Sequence, residues 1–249
     1  MINAESILKH NMQYYIDPAL KQFELPFVNK FKLIPCKSIY NTNNLIMFGI
    51  YKIETFNILI KRQQLQKNTI VIWGGSDFDL NRNRVKERLS KLITMKNVNH
   101  IAISKCLYER ITSVGLHATL IYFNLVDTNL FKPITIKPLP TTIYIYSGHP
   151  VNKGSNSITY GKHIYEDIMK ILNQYTYILS HNINVPYHNM PSIYAKCFIV
   201  LRLTELDGNA NTVQECHAMN IPVVHNGSDY GLKWKTKKDV IQHILNFSS

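Results

Sequence analysis

Residues 201–224 read LRLTELDGNANTVQECHAMNIPVV. An apolar run at 197–203 ends in a small polar loop, Asp207-Gly208-Asn209-Ala210-Asn211. A helical pattern follows from Thr212 to about Met219, and Pro222-Val223-Val224-His225 forms a second apolar run. Strand, loop, helix, turn and strand in that order make a βαβ unit, and so a parallel sheet. Gly208 permits a sharp turn and a close backbone approach. Asn211 is the predicted N-cap. A helix N-terminus placed after a strand offers free amides and the positive end of the helix dipole, which suits phosphate. Asp207 lies in the loop and Glu215 lies one turn into the helix, eight positions later. Arg202 and Thr204 end the first strand, where a guanidinium suits a diphosphate or a carboxylate.

The same alternation runs outward through the chain. Short runs rich in Ile and Val predict strands at 32–36, 45–50, 69–74, 100–104, 118–123, 143–147, 177–180, 197–203 and 222–225. They are too short for buried helices and suit strands covered on both faces. Helical patterns lie between them, near 53–66, 82–96, 105–114, 161–173, 211–220 and 236–247. Residues 131–142 (FKPITIKPLPTT) hold three prolines and no helical period, which marks a linker. The prediction is an α/β chain of two Rossmann-like domains, about 1–135 and 136–249. In open parallel sheets, ligands sit beyond the carboxyl ends of the strands. That rule selects Phe48-Gly49, and also Gly74-Gly75-Ser76-Asp77, where the backbone can approach a sugar. In the second half it selects Gly148-His149.

The 201–224 stretch resembles family 4 of the retaining glycosyltransferases. Those enzymes carry a Glu, seven residues and a second Glu, in the pattern E-G-F-G-x-x-x-x-E-A-M-A-x-G-x-P-V-V. This chain has D-G-N-A-N-T-V-Q-E-C-H-A-M-N-I-P-V-V, with Asp for the first acid and Asn209-Ala210 for Phe-Gly. The resemblance extends upstream through Ser104, Gly115, Asn124, Val126, Asp127, Phe131 and Pro133, then Gly148 and Lys153-Gly154. It implies a GT-B fold, with two Rossmann-like domains facing a central cleft. It implies that Asp207 touches the donor sugar, that amides from Gly208 to Thr212 approach the diphosphate, and that Glu215 holds ribose hydroxyls. Lys153 matches the lysine that meets the diphosphate, and His149 stands where the family has arginine. Asp207, Lys153 and Asp77 are the expected catalytic residues. Gly49, Gly74, Gly75, Ser76, Asp77 and Ser104 form the expected acceptor side. The implied co-substrate is a nucleotide-diphosphate sugar, UDP-linked by default. The implied acceptor is a glycan, glycoprotein or lipid-linked hydroxyl, and neither cofactor nor metal is called for. The family's glycine-rich loop after the first strand is absent from the sequence.

Composition narrows the alternatives. The chain has 249 residues, 45% hydrophobic and 18% charged, which excludes disorder along its whole length. No run reaches the roughly 18 apolar residues of a bilayer span, and the N-terminus lacks the apolar core of a secretory signal. The expected location is cytoplasmic. Cys36, Cys106, Cys197 and Cys216 form no CxxC pair and read as buried, reduced thiols. The net charge of +12 favours anionic partners. Residues 82–96 carry six basic residues, with Val85, Leu89, Leu92 and Ile93 on one helical face. They read as a surface helix with a solvated basic face, or as a contact for anionic membrane or an anionic glycan acceptor. Asp77-Phe78-Asp79 resembles a metal-binding D-x-D, but Asp79 as a helix cap is the preferred reading. The histidines have no zinc-site spacing. Dinucleotide, P-loop and nucleophile-elbow motifs are absent. Two other readings remain: a glycosyltransferase-like binding protein without turnover, and a basic nucleic-acid module, which lacks any RRM, KH or zinc-finger signature.

Overall fold

The computed structural model describes residues 12–80, 83–122, 125–135, 138–148, 159–204, 210–227 and 230–248. The chain divides into two compact units, Met1–Leu125 and Val126–Ser249. The division falls ten residues before the expected 135. Its cause is Phe131, which is buried with Tyr144 and Tyr194 in the second core, with Val126, Leu130 and Ile134 packed against them.

The first unit holds strands β1 (Gln13–Ile16), β2 (Ile34–Pro35), β3 (Asn44–Phe48), β4 (Asn68–Trp73), β5 (Val98–Ala102) and β6 (Ala118–Leu120). Their order is β2-β1-β3-β4-β5-β6, and every pair is parallel. The helices are α1 (Glu24–Phe31), α2 (Ile53–Gln64), α3 (Asn83–Thr94) and α4 (Lys105–Thr112). Strand β3 is buried at four successive positions, Leu45 to Phe48, as a strand covered on both faces must be. Sequence reasoning missed β1 and α1. The four residues QYYI sit in a polar stretch, and only Tyr14 and Ile16 are fully buried, with Tyr15 partly buried against the same core. Tyr14 completes its burial by donating its hydroxyl to Glu24 at 3.0 Å.

The second unit holds β7 (Thr142–Ile145), β8 (Thr176–Leu179), β9 (Ile199–Leu201) and β10 (Val223–Val224), in the order β10-β9-β7-β8, again all parallel. Its helices are α5 (Lys162–Ile171), α6 (Met190–Tyr194), α7 (Asn211–Ala218) and α8 (Lys237–Ser248). Both sheets are parallel with helices between the strands, as the alternating pattern required.

Each strand order contains one reversal. The first sheet grows from β1 to β2 on one side and then starts β3 on the other. The second grows from β7 to β8 and then starts β9 on the other side. At such a switch point the two flanking loops leave in opposite directions and open a crevice at the strand ends. The residues after β1 and β3, and those after β7 and β9, are therefore the places where each domain can take a ligand.

No helix among the described residues is long and apolar enough to cross a membrane. Of the four free cysteines, Cys197 and Cys216 are buried as expected, whereas Cys36 and Cys106 are partly exposed.

Candidate functional site

In the second domain the switch point brings Tyr146, just after β7, against Arg202, just after β9. The guanidinium carbon of Arg202 lies 3.9 Å from the Tyr146 ring centroid, a cation–π contact. Arg202 also donates to the Thr212 hydroxyl at 3.2 Å. Its backbone is fixed from the other side, because its amide donates to the Val224 carbonyl and its own carbonyl meets His225 Nδ1 at 3.0 Å. A cation is thus held at the strand ends, beside the first turn of α7.

Helix α7 starts at Asn211, one residue earlier than predicted, with Ala210 as its N-cap. Alanine has no side chain to cap the helix. The Val213 and Gln214 amides turn back to the Ala210 carbonyl. The Asn211 and Thr212 amides meet no acceptor among the described residues, and they are the ones that remain for an anion.

Glu215 follows one turn later, on the inner side of α7. It is 4% exposed and accepts a hydrogen bond from Tyr194 at 2.9 Å. The Tyr187 hydroxyl also favours its charged form. Burial raises its pKa to about 7, against the lowering influence of Tyr194, Tyr187 and Arg202. The same burial, with the carboxylate beside it, pushes the Tyr194 hydroxyl well above its ordinary value.

Gly148 closes the site on the β7 side. Its φ is +105°, and a side chain there would come within 3.0 Å of the Tyr160 ring. Its carbonyl accepts from Ser180 Oγ at 2.6 Å. Ser147 Oγ and His181 Nδ1 share a hydrogen bond of 2.6 Å. Sequence reasoning did not select Tyr146, Ser147, Ser180, His181, Tyr187 or Tyr194. The rule that found Gly148 and Arg202 would also have found Tyr146, Ser147, Ser180 and His181, since all four lie just past a strand end. Tyr187 and Tyr194 had no such signal. Thr204 is buried at the end of the same segment as Arg202. His149, Lys153, Asp207, Gly208 and Asn209 lie outside the described residues.

The first domain's switch point is arranged differently. Asp17 follows β1 and is fully buried. Its Oδ2 accepts the amides of Tyr51 and Lys52, each at 2.9 Å, and its Oδ1 accepts the amide of Ala19 at 2.9 Å. Asp77 does the same one strand further on. Its oxygens accept the amides of Ile50 (3.1 Å), Gly74 (3.1 Å) and Gly75 (2.8 Å). Asp77 is 2% exposed, and burial raises its pKa to about 6 although the three amides pull it down. Both carboxylates pin loops at the strand ends. Gly49 has φ +77°, and any side chain there would meet Leu20 at 2.5 Å. Gly74 faces the Tyr51 hydroxyl and Leu20. The space beside these glycines is filled by the protein's own side chains. The Ser76 backbone lies in the short turn Ser76–Phe78. Ser104 caps α4 by accepting the Leu107 amide at 3.3 Å.

Among the described residues no three His, Cys, Asp or Glu side chains converge as metal ligands would. His100 is a core residue that accepts from Trp73 Nε1 at 3.1 Å, and burial lowers its pKa to about 4.

No family model and no curated protein matches the chain. Solved structures do. A sucrose-phosphate synthase from Thermosynechococcus elongatus superposes with a TM-score of 0.56 at 14% identity, covering 92% of this chain and 71% of that one. TarM superposes with a TM-score of 0.59 at 10% identity, covering 91% of this chain and 51% of that one. The present chain thus spans about half the length of TarM. At these identities the likeness shows the fold, which is two parallel-sheet α/β domains of the GT-B class.

Proposed function

We propose that the chain is a glycosyltransferase that moves a sugar from a nucleotide-diphosphate donor, UDP-linked by default, to a hydroxyl acceptor. The observation that carries this reading is the placement of Glu215. A buried carboxylate stands one turn inside a helix whose N-terminus follows β9 at the switch point, next to a fixed guanidinium. In this reading Glu215 accepts hydrogen bonds from the two ribose hydroxyls. Arg202 and the amides of Asn211 and Thr212 meet the diphosphate. As the bond to the sugar breaks, negative charge grows on the leaving diphosphate, and those groups stabilise it electrostatically. Lys153 and Asp207 take the roles the sequence resemblance gives them, at the diphosphate and at the sugar. Retention of configuration and independence from metal rest on that resemblance alone. The likeness to a sucrose-phosphate synthase supports sugar transfer as the general class.

The test is thermal stability against UDP, GDP, dTDP and ADP, on wild type and Glu215→Gln. A nucleotide at about 100 times its dissociation constant adds roughly 2.7 kcal/mol. One of the four is expected to stabilise the wild type, and Glu215→Gln is expected to blunt that response. If none stabilises the wild type while a short polynucleotide does, the donor reading fails.

A further inference from the structure

Helix α3 carries Arg84 and Arg88 one turn apart. The sequence placed both on a solvated basic face, and the structure corrects this. The inward face of α3 is Val85, Arg88 and Leu92, while Ile93 is exposed. Arg88 is 8% exposed. It donates to the Ile50 carbonyl at 2.9 Å and lies 5.1 Å from the Phe56 ring centroid. It therefore stands at the carboxyl end of β3, among the loops that Asp17 and Asp77 pin.

Arg84 lies beside it, half-buried. Its Nε is shut off from solvent and has no hydrogen-bond partner among the described residues. Burial lowers the proton affinity of Arg88, and the charge of Arg84, one helical turn away, lowers it further. Asp17, Glu87 and Asp77 act on Arg88 in the opposite sense, but the Asp17 and Asp77 oxygens are engaged by backbone amides and neither makes a hydrogen bond to Arg84 or Arg88 among the described residues. Arg62 shows how this domain treats an arginine with a structural role. It is fully buried and donates to Thr69 Oγ1, and to the carbonyls of Ile39, Thr42 and Asn68. The Arg84 Nε meets no such acceptor among the described residues. Two like charges one helical turn apart, one buried and the other half-buried, repel. A phosphate or carboxylate between them turns repulsion into charge-assisted hydrogen bonds.

We infer that Arg84 and Arg88 hold an anionic group, a phosphate ester or carboxylate, at the strand ends of the first domain. The anion site stands on this geometry alone. Taken with the proposed glycosyl transfer, on which this clause rests, it makes the acceptor an anionic hydroxyl compound.

The probe is inorganic phosphate, with chloride at equal ionic strength as the reference. Phosphate is expected to raise the Tm of the wild type and of Glu215→Gln alike. Arg84→Gln is expected to lose that rise, with the half-saturating phosphate concentration up by about tenfold or more, and Arg84→Lys to keep part of it. In chloride, Arg84→Gln is expected to be no less stable than wild type, because it removes a repulsion and the Nε it deletes has no hydrogen-bond partner among the described residues. A phosphate response retained in Arg84→Gln but lost in Arg202→Gln would put the anion in the second domain and overturn the inference. So would no response in the wild type. Glucose 6-phosphate and phosphatidylglycerol vesicles then separate a soluble ester from a lipid headgroup, since only the true source gives an Arg84-dependent signal. The donor reading fails or stands on the UDP response, which Arg84→Gln leaves intact.

Discussion

Glu215→Gln is expected to be more stable than the wild type at pH 8 and equal to it near pH 4.5. Burial raises the Glu215 pKa from 4.5 to about 7. An acid whose folded pKa is raised favours folding most when protonated. Its contribution is complete below the unfolded value and is lost as pH climbs through the folded one. Each unit corresponds to about 1.4 kcal/mol, so ionising Glu215 costs the fold about 3 kcal/mol between pH 4.5 and 8. Glutamine keeps the shape and an acceptor for Tyr194, and carries no charge to bury. Asp77 shifts in the same direction, so the wild type and the variant share its effect and their difference isolates Glu215. Urea denaturation of both chains at pH 4.5, 6, 7 and 8 gives the measurement, and curves that stay parallel across that range would count against it. A destabilising carboxylate is kept where its charge is used. The same titration predicts that the UDP response of the wild type strengthens as pH rises through 7, because the ionised carboxylate is the better acceptor for ribose hydroxyls.

Asp17→Ala is expected to destabilise the first domain by about 3 kcal/mol or more. Three buried amides, of Ala19, Tyr51 and Lys52, donate to this carboxylate. Orphaning a buried donor costs about 1–3 kcal/mol, and truncation also leaves a cavity. The loop after β1 would come away from the loop after β3. Asp17→Asn keeps one acceptor oxygen and is expected to cost less than alanine. Trp73 lies in the first core and Trp234 in the second. In a Trp234→Phe background, tryptophan fluorescence against urea therefore reads the first domain alone. A midpoint for Asp17→Ala equal to that of its parent would show that the three amides find other partners.

The second half was the more legible. Its strands are continuous apolar runs, and the helix bearing Glu215 was placed within one residue of its start. In the first half, β1 escaped because a four-residue strand with a polar first position carries too little periodicity to register. Helix α3 was located well, but its face was misassigned. Four apolar residues suggested one orientation, and the Ile50 carbonyl and the Phe56 ring turned Arg88 inward instead.

The sequence by itself determined that there are two parallel α/β sheets, and roughly where each strand and helix lies. Short Ile- and Val-rich runs must be covered on both faces, and the intervening amphipathic helices supply that cover. These are local facts, set by spacing along the chain. Only the tertiary structure decided the strand orders, and through them the two switch points. Those orders carry Asp17 to the amides of Tyr51 and Lys52, more than 30 residues away, stack Arg202 on Tyr146, and enclose Glu215 with Tyr187 and Tyr194. The physical reason is that a local pattern fixes which face of an element is buried, while the partner it meets there depends on which strands lie side by side.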